Sequence, residues 1–544
     1  MRGNDAVVLV VGAGPVGLTA ARLLANAGTR CIVVDRRDGP QRSPAAHVVN
    51  GRTLEIFAQA GLDMNAVAAL ASDPADAGHV NFVTRLNGSL IGRLPFERQG
   101  DECRRFTPHP LRNISQHHLE PWLSEVVAVM PEVELSYDTE WVSAEQHEAG
   151  VRSVLRDVRT GEERALSTAY VLGADGAGSA VRRWLGVEMV GPAGLQSFVT
   201  IHFLANLRRY VDHRPGVLHF VMDPAAGGCL VAHDIDREWV FMHSFNPATE
   251  SIDDFDHDRC GQLVRAAIGD PDADVSIVGT STWHMSAQVA ERMRDGRVFL
   301  VGDAAHRFPP TGGMGLNTGV GDVHNLVWKL VAVEAGWASP SLLDTYQSER
   351  RPIAEINCQQ SLTNAFKMVL LAQALGLSLA TTSSELEATL ADPARATAIA
   401  DAVAEQATHF NMLGLQLGYR YQLPDSPPAP TDIDPSVFAP QGEVGSRLPH
   451  EWVDADTSTL QLIGADRLTL VSVGAHLEWA DALDVAGAQV HHVQLELESW
   501  RQQCGLGGTG AMLVRPDQHI AWRASDISPG AATSLAQAIT ASSR

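Results

Sequence analysis

Apolar residues fall along this chain in several rhythms, and each rhythm predicts a different element. Ala6 to Val11 is an unbroken apolar run, as expected of a strand buried on both faces of a parallel sheet. It leads into Gly-Ala-Gly-Pro-Val-Gly and a helical pattern reaching Asn26. Cys31 to Asp35, CIVVD, is the next strand, which completes a β-α-β unit. Helical spacing returns over Arg52–Ala60 and Gln116–Val127. Arg152–Asp157 and Ala165–Gly173 read as strands about a turn at Thr160-Gly161, and AYVLGADGAGSAVRRWLG repeats the order strand, glycine turn, helix.

From about Gly191 to Met285 the rhythm shortens. VLHFVM, CLVAHDI and WVFMHSF alternate between glycine-rich or charged turns, which predicts an antiparallel sheet inserted into a nucleotide-binding unit. RVFLV (297–301) is again a buried parallel-type strand. After Gly315, Leu316, Val320, Val323, Val327 and Val331 recur near the helical period, and Gly336 stands where a C-terminal cap belongs. Helical sequence extends to about Leu417, PDSPPAPTDIDP (424–435) reads as a linker, and the remainder alternates strand-like and helical runs, as a small α/β domain does.

A length of 544 residues allows two or three domains, and a net charge of −23 disfavours nucleic acid or an anionic membrane as the main partner. Lys329 and Lys367 are the only lysines, and neither follows the P-loop pattern, which also argues against Schiff-base chemistry. The arginine bias hints at a GC-rich bacterial source. The six cysteines show neither C-x-x-C nor zinc-ligand spacing, so buried thiols in a reducing cytoplasm are expected. No signal-peptide pattern precedes the first strand. The longest apolar run, Met368 to Ala380, is too short to span a bilayer and reads as a buried helix or a lid.

The chemistry concentrates in three places. In Gly12-x-Gly14-x-x-Gly17, with Pro15 inside the motif, Gly12 permits a tight turn, Gly14 admits a pyrophosphate and Gly17 lets strand and helix approach. Asp35, 18 residues past Gly17, is placed to hold ribose hydroxyls, and Arg36 beside it either touches adenosine or is solvated. GADGAGSAVRR (173–183) puts Asp175 and Gly176 in a turn before a helix that Ser179 would cap. GDAAHRFPPTGGMGLNTG (302–319) ends a strand on Asp303 and opens a helix through prolines and glycines.

In this order the segments resemble the class A flavoprotein aromatic monooxygenases, the p-hydroxybenzoate hydroxylase fold. The closest likeness is to its phenol hydroxylase, dichlorophenol monooxygenase and aromatic polyketide hydroxylase branch. PAAHVVNGRTLEIFAQAGL (44–62), NISQHHLEPWL (113–123), the stretch 296–330 and LLDTYQSERRP (342–352) carry the resemblance. It implies an α/β fold with an α+β insert: a Rossmann-like FAD-binding domain (1–78, 106–190 and 286–420) and an inserted antiparallel-sheet substrate domain (79–105 and 191–285). After a linker (421–435) the tail (436–544) resembles that branch's thioredoxin-like C-terminal domain; lacking C-x-x-C, it is expected to pack or to make oligomer contacts, a homodimer among them.

The resemblance also implies FAD, with NADPH or NADH and O2 as co-substrates, and a small aromatic substrate hydroxylated by a flavin C4a-hydroperoxide. Gly12, Gly14, Gly17 and Asp35 would hold the adenosine half of FAD, Gln116 its flavin side and Asp303 the ribityl chain. Asp175 and Gly176 would serve FAD and the nicotinamide cofactor. Pro309 would lie near the flavin edge, while Gly312, Gly313, Met314, Gly315, Leu316 and Asn317 bring backbone to the pyrimidine side, with the positive end of the following helix facing reduced flavin. The family's P-R-A is Pro44-Ala45-Ala46 here, so no flavin-shifting arginine carries over, and Arg52 is kept as a cofactor candidate.

His47 is the candidate proton acceptor for a phenolic hydroxyl, with His284 second, and each has an alternative reading as a packing histidine. Phe220, Met222 and Trp283 are candidates for the pocket lining or for ordinary core. The absence of a second G-x-G-x-x-G and of W-x-W-x-I-P argues against a two-domain reductase and a halogenase. A Baeyer–Villiger or epoxidising oxygenase, and a flavin-binding sensor without turnover, are the competing expectations.

Overall fold

In the computed structural model, residues 6–544 are described except 379, 424, 425, 475–478, 482 and 484–489. β1 (Ala6–Val11), β2 (Cys31–Val34), β3 (Glu163–Gly173) and β4 (Val298–Leu300) lie in the order β4-β3-β1-β2 within an eight-stranded sheet, and these four strands are parallel to one another. Val133–Ser136 adds in parallel outside β2. The antiparallel pair Thr139–His147 and Gly150–Asp157 extends from the first half of β3. Neighbours on both edges and helices on the faces explain why the first strand is an apolar run rather than an alternation.

Helix α1 (Pro15–Asn26) follows β1, and α2 (Gly51–Gln59), α3 (Gln116–Ala128), α4 (Met314–Glu334) and α5 (Thr345–Ala374) complete this layer. Leu18 and Leu24 of α1 share one core with Val320, Val323 and Val327 of α4 and with Val8 and Val10. Burying each such side chain stabilises the fold by about 1.5–3 kcal/mol. Gly336, at φ +77°, ends α4 as its position predicts. One expectation changes: α4 is not a one-sided amphipathic helix. It is buried all round from Asn317 to Ala332, Asp322, His324, Asn325 and Lys329 included, because these polar groups find partners inside the protein.

The inserted sheet has seven strands, in the order Ser276–Met285, Gln196–Leu204, Glu238–Phe245, Gly228–Asp234, Leu218–Val221, His79–Val83 and Leu90–Pro95. It is antiparallel as expected except where Leu218–Val221 runs parallel to His79–Val83. Those two strands come from separate stretches of chain, so no hairpin fixes their direction. One face carries Val199, Phe241 and Leu230 and is covered by the helix His257–Ile268. The other carries Phe82, Phe220 and Cys229 and faces the end of α5 and the helix Ala396–Ala404.

The apolar run from Met368 is therefore only half of what was expected. Leu371 and Leu375 are buried against the sheet, but α5 ends at Ala374 and presents Val369 and Leu370 to solvent, each about half exposed; residue 379 lies outside the described residues. No described helix is long and apolar enough to cross a membrane.

The C-terminal sheet runs His491–Leu495, Thr469–Val473, Ala511–Val514, Ile520–Ala524, with the first pair parallel and the others antiparallel, as in a thioredoxin-like core. Ala531–Ser542 covers it through Leu535 and Ile539. All six cysteines are free and buried. Of the proline-rich stretch, 424 and 425 lie outside the described residues; the rest has no regular structure but is seated on the protein, with the Pro435 carbonyl accepting from Gly414 N.

Candidate functional site

The ends of β1, β2, β3 and β4 bring the sequence motifs to one side of the sheet, where open α/β sheets bind nucleotides. In the first turn, Gly12 has φ +109°, and an added Cβ would stand 2.3 Å from the Ala174 carbonyl oxygen; at Gly17 it would stand 1.9 Å from that of Gly12. Both glycines are demanded by the turn itself. Gly14 is different: a Cβ there meets nothing within 4 Å. It is also the N-cap of α1 without a side-chain cap, and Pro15 takes the first helical position, where no N–H is needed. The turn thus leaves an open, amide-lined hollow at a positive helix end.

Asp35 closes the next strand end. Its carboxylate accepts from Ala13 N at 2.8 Å and from the forked guanidinium of Arg37, Nη2 at 2.9 Å from Oδ2. Burial alone would raise its pKa; the Arg37 bonds outweigh this and hold it below the ordinary value. Arg36 is exposed, while Arg37, in the bend after the strand, donates its backbone N–H to Asp35 Oδ1 at 2.9 Å and so brings its guanidinium back onto the carboxylate. Arg37 also lies 2.9 Å from Glu120 on α3. Gln116, the first residue of α3, donates its backbone N–H to the Ala46 carbonyl and its side-chain amide to Glu120.

At the end of β3, the Asp175 carboxylate accepts from Ala180 N, Val181 N and Ser179 Oγ, while Ser179 caps Arg182 N as foreseen. Both Asp175 oxygens are engaged in holding this turn, and Gly176, at φ +75°, faces open space. Arg182 and Arg307 donate to the Ala177 carbonyl, and Arg182 also donates to that of Ala304, so the second and third motifs are joined. Asp303 is exposed, yet the protein around it desolvates its carboxylate and raises its pKa, against the pull of His306 and Arg307.

Behind Asp303, Asp322 of α4 accepts from Gly302 N, from His306 Nε2 at 2.7 Å and from Arg350 Nε at 2.9 Å. This fully buried cluster fixes the strand end to two helices. Nothing local in the sequence reveals it, since the groups come together only through packing.

The turn that follows is enclosed by a closed circuit of contacts. Pro309 is buried and Gly313, at φ +61°, is the N-cap of α4 without a side-chain cap. An added Cβ on Gly313 would lie 2.6 Å from Val48, and one on Gly312 would lie 2.1 Å from the Met412 methyl. Val48 follows His47, His47 stacks on Phe96 at 6.0 Å, Phe96 precedes Glu97, and Glu97 Oε2 accepts from Met412 N. Gly315 approaches Asp303, to 3.8 Å for an added Cβ. Met314 is buried against Met412 and Leu415, and Leu316 packs partly on the sheet core. Asn317 donates to the Val48 and Gly313 carbonyls and accepts from Asn50 N and Thr53 Oγ1, so its side chain secures the turn.

His47 Nδ1 lies 3.0 Å from Asn113 Oδ1, and the Asn113 amide donates to Gln99 Oε1, which fixes its orientation. Nδ1 therefore carries the proton and Nε2 the lone pair. Asn113 is the one hydrogen-bond partner of the imidazole among the described residues, and the His233 ring stands edge-on to it at 6.1 Å. Burial lowers the His47 pKa, partly opposed by the Asn113 bond. Next to it, Phe220 stacks on Phe82 at 5.3 Å, Phe410 lies 6.1 Å from Phe220 and from Phe96, and Met222 packs on the same cluster.

Trp283 shares that sheet face by register but sits on the far edge strand, stacked on Phe198 at 4.7 Å. His284 is corrected: it is exposed, bonded to Ser197, and points to the opposite face by strand alternation. Arg52 is corrected too. It is buried away from the turns, donating to Glu55, Gln518 and the Asp517 carbonyl, because its helix faces the C-terminal segment.

Three features escaped the sequence reading: Arg37 on Asp35, Asp322 behind Asp303, and Glu238, which accepts from His117 and His202 and ties α3 to the inserted sheet. Only the first had a signal, an arginine two residues past the acid.

A glycine turn with open space at Gly14, an acid at the end of β2 and a third glycine turn beside an aromatic cluster define a dinucleotide-binding protein of the Rossmann type. The FAD-binding-domain family matches residues 5–361, and the aromatic-ring hydroxylase C-terminal family matches 441–542. The chain belongs to the FAD-dependent aromatic-ring hydroxylases. A 2,4-dichlorophenol 6-monooxygenase of Cupriavidus pinatubonensis is 33% identical over 98% of this chain and 95% of its own. The tetracenomycin B2 monooxygenase-dioxygenase of Streptomyces olivaceus is 32% identical over 95% and 94%. The solved structure of the flavin-dependent monooxygenase PieE with FAD and substrate superposes with a TM-score of 0.92, at 35% identity over 99% of both chains.

Proposed function

We propose that this protein hydroxylates a phenolic ring of a polycyclic aromatic substrate, using FAD, NAD(P)H and O2. The observation that carries it is the turn at Gly312 and Gly313, which touches Val48 and Met412 and through Val48 adjoins His47 and a cluster of phenylalanines. The residues present fit FAD. The hollow at Gly14 accepts a pyrophosphate, Asp35 a ribose, and Asp303 a hydroxylated chain, while two helix N-termini, of α1 and α4, lack side-chain caps. Bound FAD would supply hydride acceptance from the nicotinamide and activation of oxygen. Residues 1–78, 106–190 and 286–420 would form its domain, 79–105 and 191–285 that of the substrate, and 436–544 a third joined by 421–435.

The protein's own groups do the rest. His47 Nε2 accepts the substrate's hydroxyl proton, which raises electron density on the ring; Asn113 keeps the other nitrogen protonated and the imidazole aimed. Phe82, Phe96, Phe220 and Phe410 hold the ring and exclude water, which the oxygen chemistry requires. The helix end at Gly313 favours negative charge at the turn.

The test is substrate-stimulated NADPH or NADH oxidation by the yellow holoprotein over phenols, naphthols and hydroxyquinones, with product mass spectrometry. Gain of one oxygen on the ring supports the proposal. Insertion into a ring C–C bond or an epoxide would support a Baeyer–Villiger or epoxidising enzyme, and tight flavin without stimulated oxidation would support a sensor.

A further inference from the structure

Glu238 opens the strand Glu238–Phe245 and is met by three imidazoles from two other elements. His117 Nε2 lies 3.0 Å and His118 Nε2 3.8 Å from Glu238 Oε2, and both histidines belong to the first turn of α3. His202, on the neighbouring strand Gln196–Leu204, brings its Nε2 to 2.8 Å from Oε1. No arginine or lysine pairs with this carboxylate among the described residues. Burial opposes its ionisation, but the hydrogen bonds from His117 and His202 outweigh burial and hold its pKa below the ordinary value.

The spacing is that of a ligand set. One donor atom each from His117, His118 and Glu238 lies within 4.8 Å of the other two. A tetrahedral zinc ion, with bonds of about 2.0–2.1 Å to nitrogen and oxygen, keeps its donors about 3.3 Å apart. The separations of 3.0 and 3.8 Å from Glu238 bracket that value, and His118, half exposed, has room to adjust.

The neighbours orient these donors. Ser115 is the N-cap residue of α3, yet its hydroxyl makes no cap bond to the helix; it lies 2.7 Å from His117 Nδ1 instead. A hydroxyl both donates and accepts. It therefore satisfies His117 when Nε2 carries the proton and gives it to Glu238, and equally when Nδ1 carries the proton and the Nε2 lone pair is on a metal. His202 occupies the other carboxylate oxygen, which leaves Oε2 to the α3 pair. The His117 and His202 side chains are nine-tenths buried, while that of His118 is 44% exposed, so the cluster is held from within and open to solvent on one side. A further imidazole, His233, stands edge-on to His117 at 5.8 Å; it is 7% exposed, and its Nδ1 is buried without a partner.

We propose that His117, His118 and Glu238 bind a zinc ion, with water in the fourth position, and that the ion clamps the start of α3 to the inserted sheet. Two imidazoles and one carboxylate suit zinc. Magnesium and calcium take mostly oxygen ligands, and iron(II) and manganese(II) bind the same donors more weakly. The inference stands on this cluster alone and is independent of the substrate.

The test uses the tag-free, FAD-loaded protein after chelator treatment, with its His118→Ala and Glu238→Gln variants. Calorimetric titration with Zn2+ near neutral pH is expected to give one zinc per chain with a micromolar or tighter Kd, and binding at least about ten-fold weaker in either variant. Co2+ should give the wild type the visible bands of a tetrahedral site, and His118→Ala should lack them. Zinc should also raise the wild-type Tm and that of His118→Ala by much less. His118→Ala leaves the Glu238 bonds to His117 and His202 in place, so it decides the matter even if Glu238→Gln does not fold. A wild type that binds no zinc, or a His118→Ala variant that binds it as tightly as wild type, overturns the proposal and leaves the cluster a network of charged hydrogen bonds.

Discussion

Arg447 lays its guanidinium against the carboxylate of Glu55, 392 residues earlier, with Nε 2.8 Å from Oε2 and Nη2 on Oε1. The pair is almost completely buried and opens a wider belt of charge. Arg52 bridges Glu55 to Gln518 and the Asp517 carbonyl, and Arg515 bridges Asp517 to Glu349, which also takes Lys329. The belt joins α2, α4 and α5 to the C-terminal segment. Removing one member of such a pair strands a buried charge, and that penalty exceeds the net worth of the pair itself.

Arg447→Ala should therefore lower unfolding free energy by about 3–5 kcal/mol, read from urea denaturation. Glu55→Gln combined with Arg447→Gln should cost clearly less than the two single changes summed. Additive losses would show that the pair is not coupled.

Acid should loosen the same belt. Burial opposes ionisation of Glu55 and Glu349, but Arg447 and Arg515 respectively, as their strongest partners, bring each down to about 2 from an ordinary 4.5. A depressed carboxylate pKa contributes stability that is full above the unfolded value and lost as pH falls through the folded one. From pH 5 to pH 2 the protein should lose about 3 kcal/mol per group. Glu97 has the opposite sign: its folded pKa, about 7, lies above 4.5, so its contribution is present at acid pH and disappears as pH rises through 7. Glu97→Gln should accordingly gain about 1–3 kcal/mol on wild type between pH 5 and pH 8, by thermal or urea denaturation. A pH-independent difference between the two proteins would contradict this.

The glycines of the first turn should separate in a single experiment. Gly17→Ala forces a Cβ to 1.9 Å from a backbone oxygen and should abolish folding. Gly14→Ala has free space and an ordinary φ of −77°, so the fold and apoprotein melting temperature should stay within a few degrees while FAD affinity falls about ten-fold or more. Retained FAD affinity in Gly14→Ala would place the pyrophosphate elsewhere.

His47→Ala should keep FAD and slow hydroxylation at neutral pH, with recovery as the substrate's own hydroxyl ionises at higher pH. Asn113→Ala, which frees the imidazole to rotate, should lower kcat less than His47→Ala and move its acid limb. Unchanged turnover in both variants would remove the imidazole from the mechanism.

Much of the fold was legible because local rules carried it. The run Ala6–Val11, the glycine turn after it and the short alternating strands from Leu218 to Phe245 each encode their element over a handful of residues. The strand ends at Asp35 and Asp303 were found for the same reason. Arg52, His284 and Asp322 were misjudged or missed because their roles are set by what lies across the fold. Arg52 faces Asp517, His284 faces away on an edge strand, and Asp322 meets His306 and Arg350 only when α4 and α5 pack. Glu97 carries no motif at all; its left-handed backbone and its place beside Met412 are visible only in three dimensions.

The belt around Glu55 also sets a schedule. On the ribosome, α2 emerges with an acid whose principal cation will not be translated for another 392 residues. Until then Glu55 has only Arg52 and Thr107 to bond, and the full belt can assemble only once the C-terminal segment has been made.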